Sequence, residues 1–102
     1  MIESFIEGRV RLRSPLLADA ALAEYLTSRL REIGGVRKVE ANPRTNGLLL
    51  EYDRTRLPLP VLMRAAPLFS RMEDLEKLPP DKRLSALTGL MNALVGELRN
   101  EE

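Results

Sequence analysis

Three arginines at alternate positions are the side chains of this 102-residue chain best placed for chemistry: Arg9, Arg11 and Arg13. Alternation places them on one side of a β-strand, where guanidinium groups can bind carboxylates or phosphates. One interpretation is an exposed sheet face whose arginines pair with Glu51 and Glu40 on neighbouring strands, each pair contributing less than about 1 kcal/mol. The other is a docking face for an acidic partner, a phosphate or RNA. RNA-binding sheets usually offer aromatic side chains for stacking, which this face lacks, so nucleic acid is the weaker candidate.

Carboxylates form a second candidate site at Glu73, Asp74 and Glu76, because iron(II) and calcium accept carboxylate oxygens. Neighbouring acids on a helix point in different directions, however, and no second acidic cluster accompanies them. A solvated helix face is therefore the better interpretation, and these three residues are only weak metal candidates.

The composition excludes several kinds of chemistry. The chain has no cysteine and no histidine, which rules out disulfides, thiolate ligands and imidazole catalysis. Its 16 basic and 15 acidic residues give a formal charge of +1, with no global attraction to nucleic acid or anionic lipid. No serine has a histidine base and no phosphate-binding glycine loop is present. We expect no enzymatic activity, no bound cofactor and a cytoplasmic location.

Period-two and period-3.6 patterns predict the elements of the N-terminal two-thirds. Residues 5–13 alternate as one strand, and residues 19–33 form a helix that Asp19 caps. Residues 36–42 and 48–53 form two strands joined by an Asn-Gly turn. The order predicts an α+β fold with a ferredoxin-like βαββα antiparallel sheet of three or four strands, two helices on one face and an extra C-terminal helix. No period-two segment after residue 60 provides a fourth strand.

Prolines divide the C-terminal third. A second helix is predicted to start at residues 57–66 and to break or kink at Pro67, and helical spacing resumes until residue 78. Pro79 and Pro80 predict a hinge between a domain at residues 1–78 and an amphipathic helix at 79–102. The apolar stripe of that helix could pack on its own chain or a dimer, bind a partner protein, or lie on a membrane. Its central residues are Leu87, Leu90, Met91 and Leu94.

Three segments carry a family resemblance. They read GRVRLRSP from Gly8, IGGVRKVEANP from Ile33 and GLLLEYD from Gly47. Together they resemble the heavy-metal-associated domain family, and most closely its divergent, cysteine-poor branch, over about residues 5 to 66. In metal-carrying members a Cys-x-x-Cys pair in the loop between the first strand and first helix binds a soft ion such as Cu(I) or Zn(II). Here Arg13 and Leu16 stand where those cysteines would, so the resemblance implies no soft-metal binding at this loop.

The resemblance also implies an accessory role close to metal transport. We expect a non-enzymatic adaptor that binds a protein partner, such as a transition-metal P-type ATPase or a component of an iron-storage compartment, and that meets a membrane only through that partner. One predicted contact surface consists of Arg9, Arg11, Arg13 and Leu16. The other consists of Leu87, Leu90, Met91 and Leu94.

Three alternatives remain open from the sequence. The chain could carry a hard metal through carboxylates, act as a small RNA-binding module, or serve as a structural subunit of a homo-oligomer. A homodimer is a specific form of the third alternative. If no fourth strand covers the edge of the strand at residues 5–13, that edge can pair with a second copy.

Overall fold

The chain begins with a β-hairpin where the sequence predicted a single strand. The structure, a computed structural model, describes residues 2–98. Strands β1 (Ile2–Ile6) and β2 (Arg9–Arg13) pair antiparallel across a turn at Glu7 and Gly8. Gly8 has a φ of 97°, which a residue without a Cβ adopts at little cost. The prediction of one strand over residues 5–13 is therefore wrong, because this turn reverses the chain inside the alternating segment.

The four strands form one antiparallel sheet in the order β1-β2-β4-β3, with β3 at Val36–Asn42 and β4 at Gly47–Tyr52. The position of β4 between β2 and β3 confirms the predicted ferredoxin-like arrangement. The fourth strand lies beside β2, as that fold requires, but it comes from the N-terminus and not from the segment after residue 60. Because β1 covers the edge of β2, that edge is not open to a second copy.

The inner face of the sheet carries the core. Leu12 of β2, Val39 of β3 and the alternating Leu48, Leu50 and Tyr52 of β4 are buried. Helix α1 packs against β3 and runs from Ala20 to Arg31. The Asp19 carboxylate caps it, as predicted, by accepting hydrogen bonds from the backbone N–H groups of Ala21 and Leu22 at 2.9 and 3.3 Å.

Helix α2 spans Leu59–Leu75 without interruption and contains Pro67. The predicted break at Pro67 is therefore wrong. A buried stripe that includes Ala65, Met72 and Leu75 extends on both sides of the proline and packs toward the next helix. Burial of that stripe along the whole helix offsets the one hydrogen bond that proline cannot donate.

Helix α3 (Pro80–Leu98) begins directly at the second of two prolines, a position where the missing N–H costs little. It packs on α1 and α2, and its buried residues belong to the same core as the sheet. Both sides of the boundary predicted at residue 79 thus contribute to one core; residues 99–102 of the predicted last segment lie outside the described residues. No helix within residues 2–98 has the length and apolarity needed to cross a bilayer.

Candidate functional site

The family resemblance implies that the loop between β2 and α1 corresponds to a metal-binding position, and in this structure the loop is closed by packing. It continues into a short 3-10 turn at Pro15–Ala18. The Ser14 side chain is buried, donates a hydrogen bond from Oγ to Glu76 Oε2 at 2.8 Å and accepts one from the Leu16 backbone N–H at 3.2 Å. Leu16 is only 2% exposed and belongs to the core. The loop therefore presents no open ligand position, and Leu16 is not available as the contact residue that the sequence predicted.

The weak carboxylate site predicted at the end of α2 does not converge. Glu76 directs one oxygen to Ser14, while Glu73 and Asp74 are exposed. Arg83 donates hydrogen bonds to the backbone carbonyls of Glu76 and Leu78 at 2.9 and 3.0 Å, which fixes the turn between α2 and α3. Within residues 2–98, no group of three or more histidine, cysteine or carboxylate side chains is placed to hold a metal ion.

The predicted arginine side of β2 forms the outer face of the sheet, away from the helices. Arg9 Nε lies 3.7 Å from Glu51 Oε2, which confirms one predicted pair. Arg13 Nε lies 3.1 Å from Glu3 Oε2 of β1. Glu40, in contrast, lies 3.7 Å from Lys38 Nζ on its own strand, so its predicted pairing with an arginine is wrong. All these side chains are substantially exposed, and each pair contributes little to stability.

Arg11 lies at the middle of β2, opposite Leu49 of β4 on one side and Ser4 of β1 on the other. Among the described residues it makes no ion pair, unlike Arg9 and Arg13. Leu49 is half-buried and is itself opposite Glu40 of β3. The centre of this surface therefore combines a free guanidinium group with an apolar side chain. We call Arg9, Arg11, Arg13, Glu40, Leu49 and Glu51 the outer sheet face.

A shallow cavity of about 460 Å³ extends from the outer sheet face toward the β3–β4 turn. Arg11 and Arg13 line it together with Glu3, Glu40 and Asn42. Its mixed charges suit a polar segment of a partner that brings one carboxylate to Arg11. They do not suit a polyanion, because the two glutamates would repel one.

Additional positive charge beside this face is largely neutralised. Lys38 pairs with Glu40, and the Arg37 guanidinium lies 3.5 Å from Asp53 Oδ2. Hydrogen bonds from the hydroxyl and backbone N–H of Thr55, at 2.6 and 2.9 Å, lower the pKa of Asp53, with Arg37 acting in the same direction. The hydrogen bonds within this turn thus stabilise the charged form of the Asp53 carboxylate.

The second contact surface predicted from the sequence is not a surface in the structure. Leu87, Leu90, Met91 and Leu94 are at most 9% exposed and pack inside their own chain. Of the alternatives for the apolar stripe, packing on its own chain is the one observed. The stripe could reach a partner only by leaving the core.

Two contributions to this region were not predicted. The bond between Ser14 and Glu76 joins residues 62 positions apart, and no local pattern indicates such a pairing. The Glu3 partner of Arg13 comes from β1, whereas the sequence predicted a single strand that began only at residue 5. The Glu-Gly pair at residues 7 and 8 is the signal that could have indicated the hairpin.

The fold is that of a ferredoxin-like α+β domain, and its loop between β2 and α1 contains neither cysteine nor histidine. The chain belongs to the heavy metal associated domain 2 family, whose sequence profile matches residues 1–98. The match extends through α3, beyond the segments that carried the resemblance. No curated protein and no solved structure matches the chain. Family membership indicates a role related to metals.

Proposed function

We propose that this protein is a non-enzymatic adaptor in metal transport or storage that binds a protein partner through its outer sheet face and does not carry soft metal itself. The supporting observation is the closed loop between β2 and α1. Leu16 is packed in the core where a second cysteine would stand, and the Ser14 hydroxyl is engaged by Glu76.

Arg11 is the residue we expect to carry the interaction. Its guanidinium group can donate two parallel hydrogen bonds to one carboxylate, a stronger arrangement than a lysine offers. Leu49 beside it supplies apolar area that a partner side chain can cover. Arg9 and Arg13 are already paired with glutamates of their own sheet. We therefore expect them to contribute less to partner binding than Arg11 does.

The partner proposed from the family relationship is a transition-metal P-type ATPase or a component of an iron-storage compartment. On physical grounds the partner segment is polar, carries an aspartate or glutamate for Arg11 and places an apolar side chain next to Leu49. Such an adaptor resides in the cytoplasm and meets a membrane only through its partner.

The experiment is affinity purification of the tagged full-length protein from its native cells, with copper, zinc and iron measured in the same eluate. The wild type is expected to recover a metal-transporting ATPase or a storage component with less than stoichiometric metal. Arg11→Glu reverses the proposed contact and is expected to abolish that recovery. Arg71→Glu makes the same change on an exposed arginine of α2 and serves as the matched control.

Equal recovery by wild type and Arg11→Glu would remove the outer sheet face from the proposal. Stoichiometric metal in the purified protein, with no protein partner, would overturn the adaptor function. That result would support the alternative of a metal carrier and would call for substitution of Glu73, Asp74 and Glu76.

A further inference from the structure

Strand β1 is one of the two edges of the sheet, and it is the unprotected one. It pairs with β2 on one side, and its contacts with the remaining elements are sparse. All of its residues are exposed, and none is lysine, arginine or proline. The opposite edge, β3, carries exposed Arg37, Lys38 and Glu40 and packs against α1. Charged side chains and a covering helix normally prevent an edge from pairing with another chain, and β1 has only the single charge of Glu3.

The backbone of β1 has groups that point to the open edge. The Tyr52 N–H of β4 donates to the Gly8 carbonyl at 3.0 Å, so Gly8 and the even-numbered residues of β2 direct their backbone groups toward β4. Arg11 therefore directs its backbone groups toward β1, where it lies opposite Ser4. Phe5 is the next residue of β1, and because the orientation alternates along a strand, its N–H and C=O point away from β2. An added strand is the kind of segment that can pair with both of these groups.

Apolar side chains concentrate at the same edge. Six large hydrophobic residues are strongly exposed within residues 2–98, and only Leu84 lies outside β1 and the first turns of α2. The other five are Ile2, Phe5, Ile6, Leu59 and Met63. All of these except Ile6 line one apolar groove of about 180 Å³, so the strand and the helix contribute to a contiguous patch. A patch of this kind beside an open strand edge is typical of an interface between proteins.

We propose that β1 pairs antiparallel with β1 of a second copy about a twofold axis at Phe5, which joins two four-stranded sheets into one. The twofold axis pairs the apolar patch with its own copy, as an isologous interface requires. Both outer sheet faces then lie on the same side of the joined sheet, so one dimer presents two copies of the proposed partner-binding surface. Such a dimer would form whether or not the outer sheet face binds a partner.

The side-chain directions in β1 select this register. Phe5 lies opposite Val10 on the inner face of the sheet, whereas Ser4 and Ile6 lie opposite arginines on the outer face. With the axis at Phe5, the two Phe5 residues exchange backbone hydrogen bonds, and Ser4 of each copy lies opposite Ile6 of the other. Inner side chains thus meet inner ones, and a shift by one residue would lose that match. A second copy therefore carries the strand that this edge requires.

Charge and size predict a weak dimer. Glu7 of each copy would approach Glu3 of the other, but Arg13 already lies 3.1 Å from Glu3 and balances its charge. A register shift between Ile2 and Ser4 limits the regular edge to residues 4–6. The five exposed apolar side chains provide roughly 500 Å² per copy, below the ~800 Å² of a standard interface. We therefore expect monomer and dimer to exchange, with a Kd in the micromolar range.

Sedimentation equilibrium of the purified full-length protein, over about a hundredfold range of concentration, tests for this dimer. The weight-average mass is expected to rise from that of a monomer toward that of a dimer. Phe5→Pro removes the N–H that points to the open edge, where proline is tolerated, and Phe5→Ala removes the ring but keeps the N–H. Both are expected to weaken the dimer. Phe5→Pro is expected to weaken it at least about tenfold more than Phe5→Ala, because the twofold axis makes the substitution remove two hydrogen bonds.

A second pair of variants tests the apolar patch without changing β1. Met63→Lys places a charge at an exposed position of α2 within the patch, and the twofold axis brings it toward the same charge of the other copy. It is expected to weaken the dimer at least about tenfold. Leu84→Lys makes the same change at an exposed position of α3 outside the patch and is expected to leave the dimer unchanged. Circular dichroism of each variant verifies that the fold is retained.

Three outcomes would overturn the proposal. A monomer mass at every concentration would exclude the dimer and would leave the adaptor function untouched, because the experiment contains no partner. Equal affinities for Phe5→Pro and Phe5→Ala would exclude backbone pairing at this edge. A dimer that Met63→Lys leaves intact would place the interface elsewhere on the chain.

Discussion

Ser14 connects the loop between β2 and α1 to the C-terminal end of α2. Its hydroxyl donates to the Glu76 carboxylate and accepts from the Leu16 N–H, so one oxygen holds both the start of the 3-10 turn and the end of α2. The loop is consequently held at both of these points by hydrogen bonds within the chain.

Replacing Ser14 by alanine is expected to lower the free energy of unfolding by about 1–2 kcal/mol, because it removes both bonds and leaves a buried N–H without its acceptor. Urea denaturation followed by circular dichroism measures the change. Ser85→Ala on the exposed side of α3 is the matched control and should stay within about 0.5 kcal/mol. A Ser14→Ala protein as stable as this control would show that leucine packing and backbone hydrogen bonds hold the loop without the Ser14 hydroxyl.

The Asp53 carboxylate makes stability depend on pH. Hydrogen bonds from Thr55 and the charge of Arg37 lower its pKa in the folded protein below the ordinary value of 3.8. The unfolded chain therefore takes up the proton first as the pH falls. The contribution of Asp53 to stability is complete above about pH 4 and is lost as the pH drops through the folded-state pKa.

Thr55→Val removes the hydroxyl and keeps the shape and the backbone N–H. The pKa of Asp53 is expected to rise toward 3.8, as followed by the carboxyl carbon resonance in an NMR titration. The variant should be less stable than wild type at neutral pH, and the difference should narrow below about pH 4. An unchanged pKa would assign the shift to Arg37 and the backbone.

At the scale of elements, α2 continues through a proline that would ordinarily end it. Pro67 cannot donate to the carbonyl four residues earlier, and its ring crowds the preceding turn. The Pro67 side chain is exposed, so its packing does little to offset the lost hydrogen bond. The helix persists because residues on both sides, such as Ala65 and Met72, are buried together.

Pro67→Ala is expected to raise the free energy of unfolding, by up to about 3 kcal/mol, because it restores one hydrogen bond and removes the ring clash. Thermal or urea denaturation measures the gain. Pro60→Ala in the first turn of the same helix is the matched control, and it should change little because proline is tolerated there. A loss of stability in Pro67→Ala would mean that the helix is adapted to a kink.

Elements with local start and stop signals were predictable from the sequence. The Asp19 cap and the apolar spacing of α1, and the alternation in residues 36–42, placed those elements closely. The hairpin was missed because alternation continues through its turn. A single strand over residues 5–13 would place Ile6 on the same face as Val10, yet Ile6 pairs with Arg9 and is 67% exposed. A turn changes which residues share a face, and period-two counting cannot detect that change.

The candidate site was predictable to the same degree. Alternation alone places Arg9, Arg11 and Arg13 on one face, and that placement is observed. The register between strands and the position of Glu3 on β1 determine which arginine is left unpaired. Both depend on the tertiary structure. The burial of Leu16 and of the α3 stripe likewise depends on where α3 docks, and an amphipathic pattern does not reveal what covers it.

At the scale of the whole molecule, α3 is part of the domain. It buries its stripe against α1 and α2, and Arg29 of α1 donates a hydrogen bond to Asn92 of α3 at 2.9 Å. Chains of this size have one modest core, and a helix of 19 residues supplies much of it. Pro79 and Pro80 therefore mark the point where α3 begins and do not separate the helix from the core.

Leu87→Ala tests this conclusion. The side chain is 1% exposed, so its truncation is expected to cost about 2–5 kcal/mol and to shift the unfolding of sheet and helices together. Leu84→Ala, at 47% exposure on the same helix, is the matched control and should cost less than about 1 kcal/mol. Separate transitions for sheet signals and helix signals would restore α3 as an independent unit after a hinge.

The N-terminal position of β1 has a consequence for folding kinetics. In the usual ferredoxin-like order the fourth strand follows the second helix and must find its neighbour across most of the chain. Here two residues separate β1 from β2, which lowers the contact order of the sheet and the entropy cost of closing it. A hairpin forms in about 1–10 μs, before long-range pairings. We therefore expect β1 to cover the edge of β2 early in folding, which leaves little time for a strand of another chain to pair with that edge.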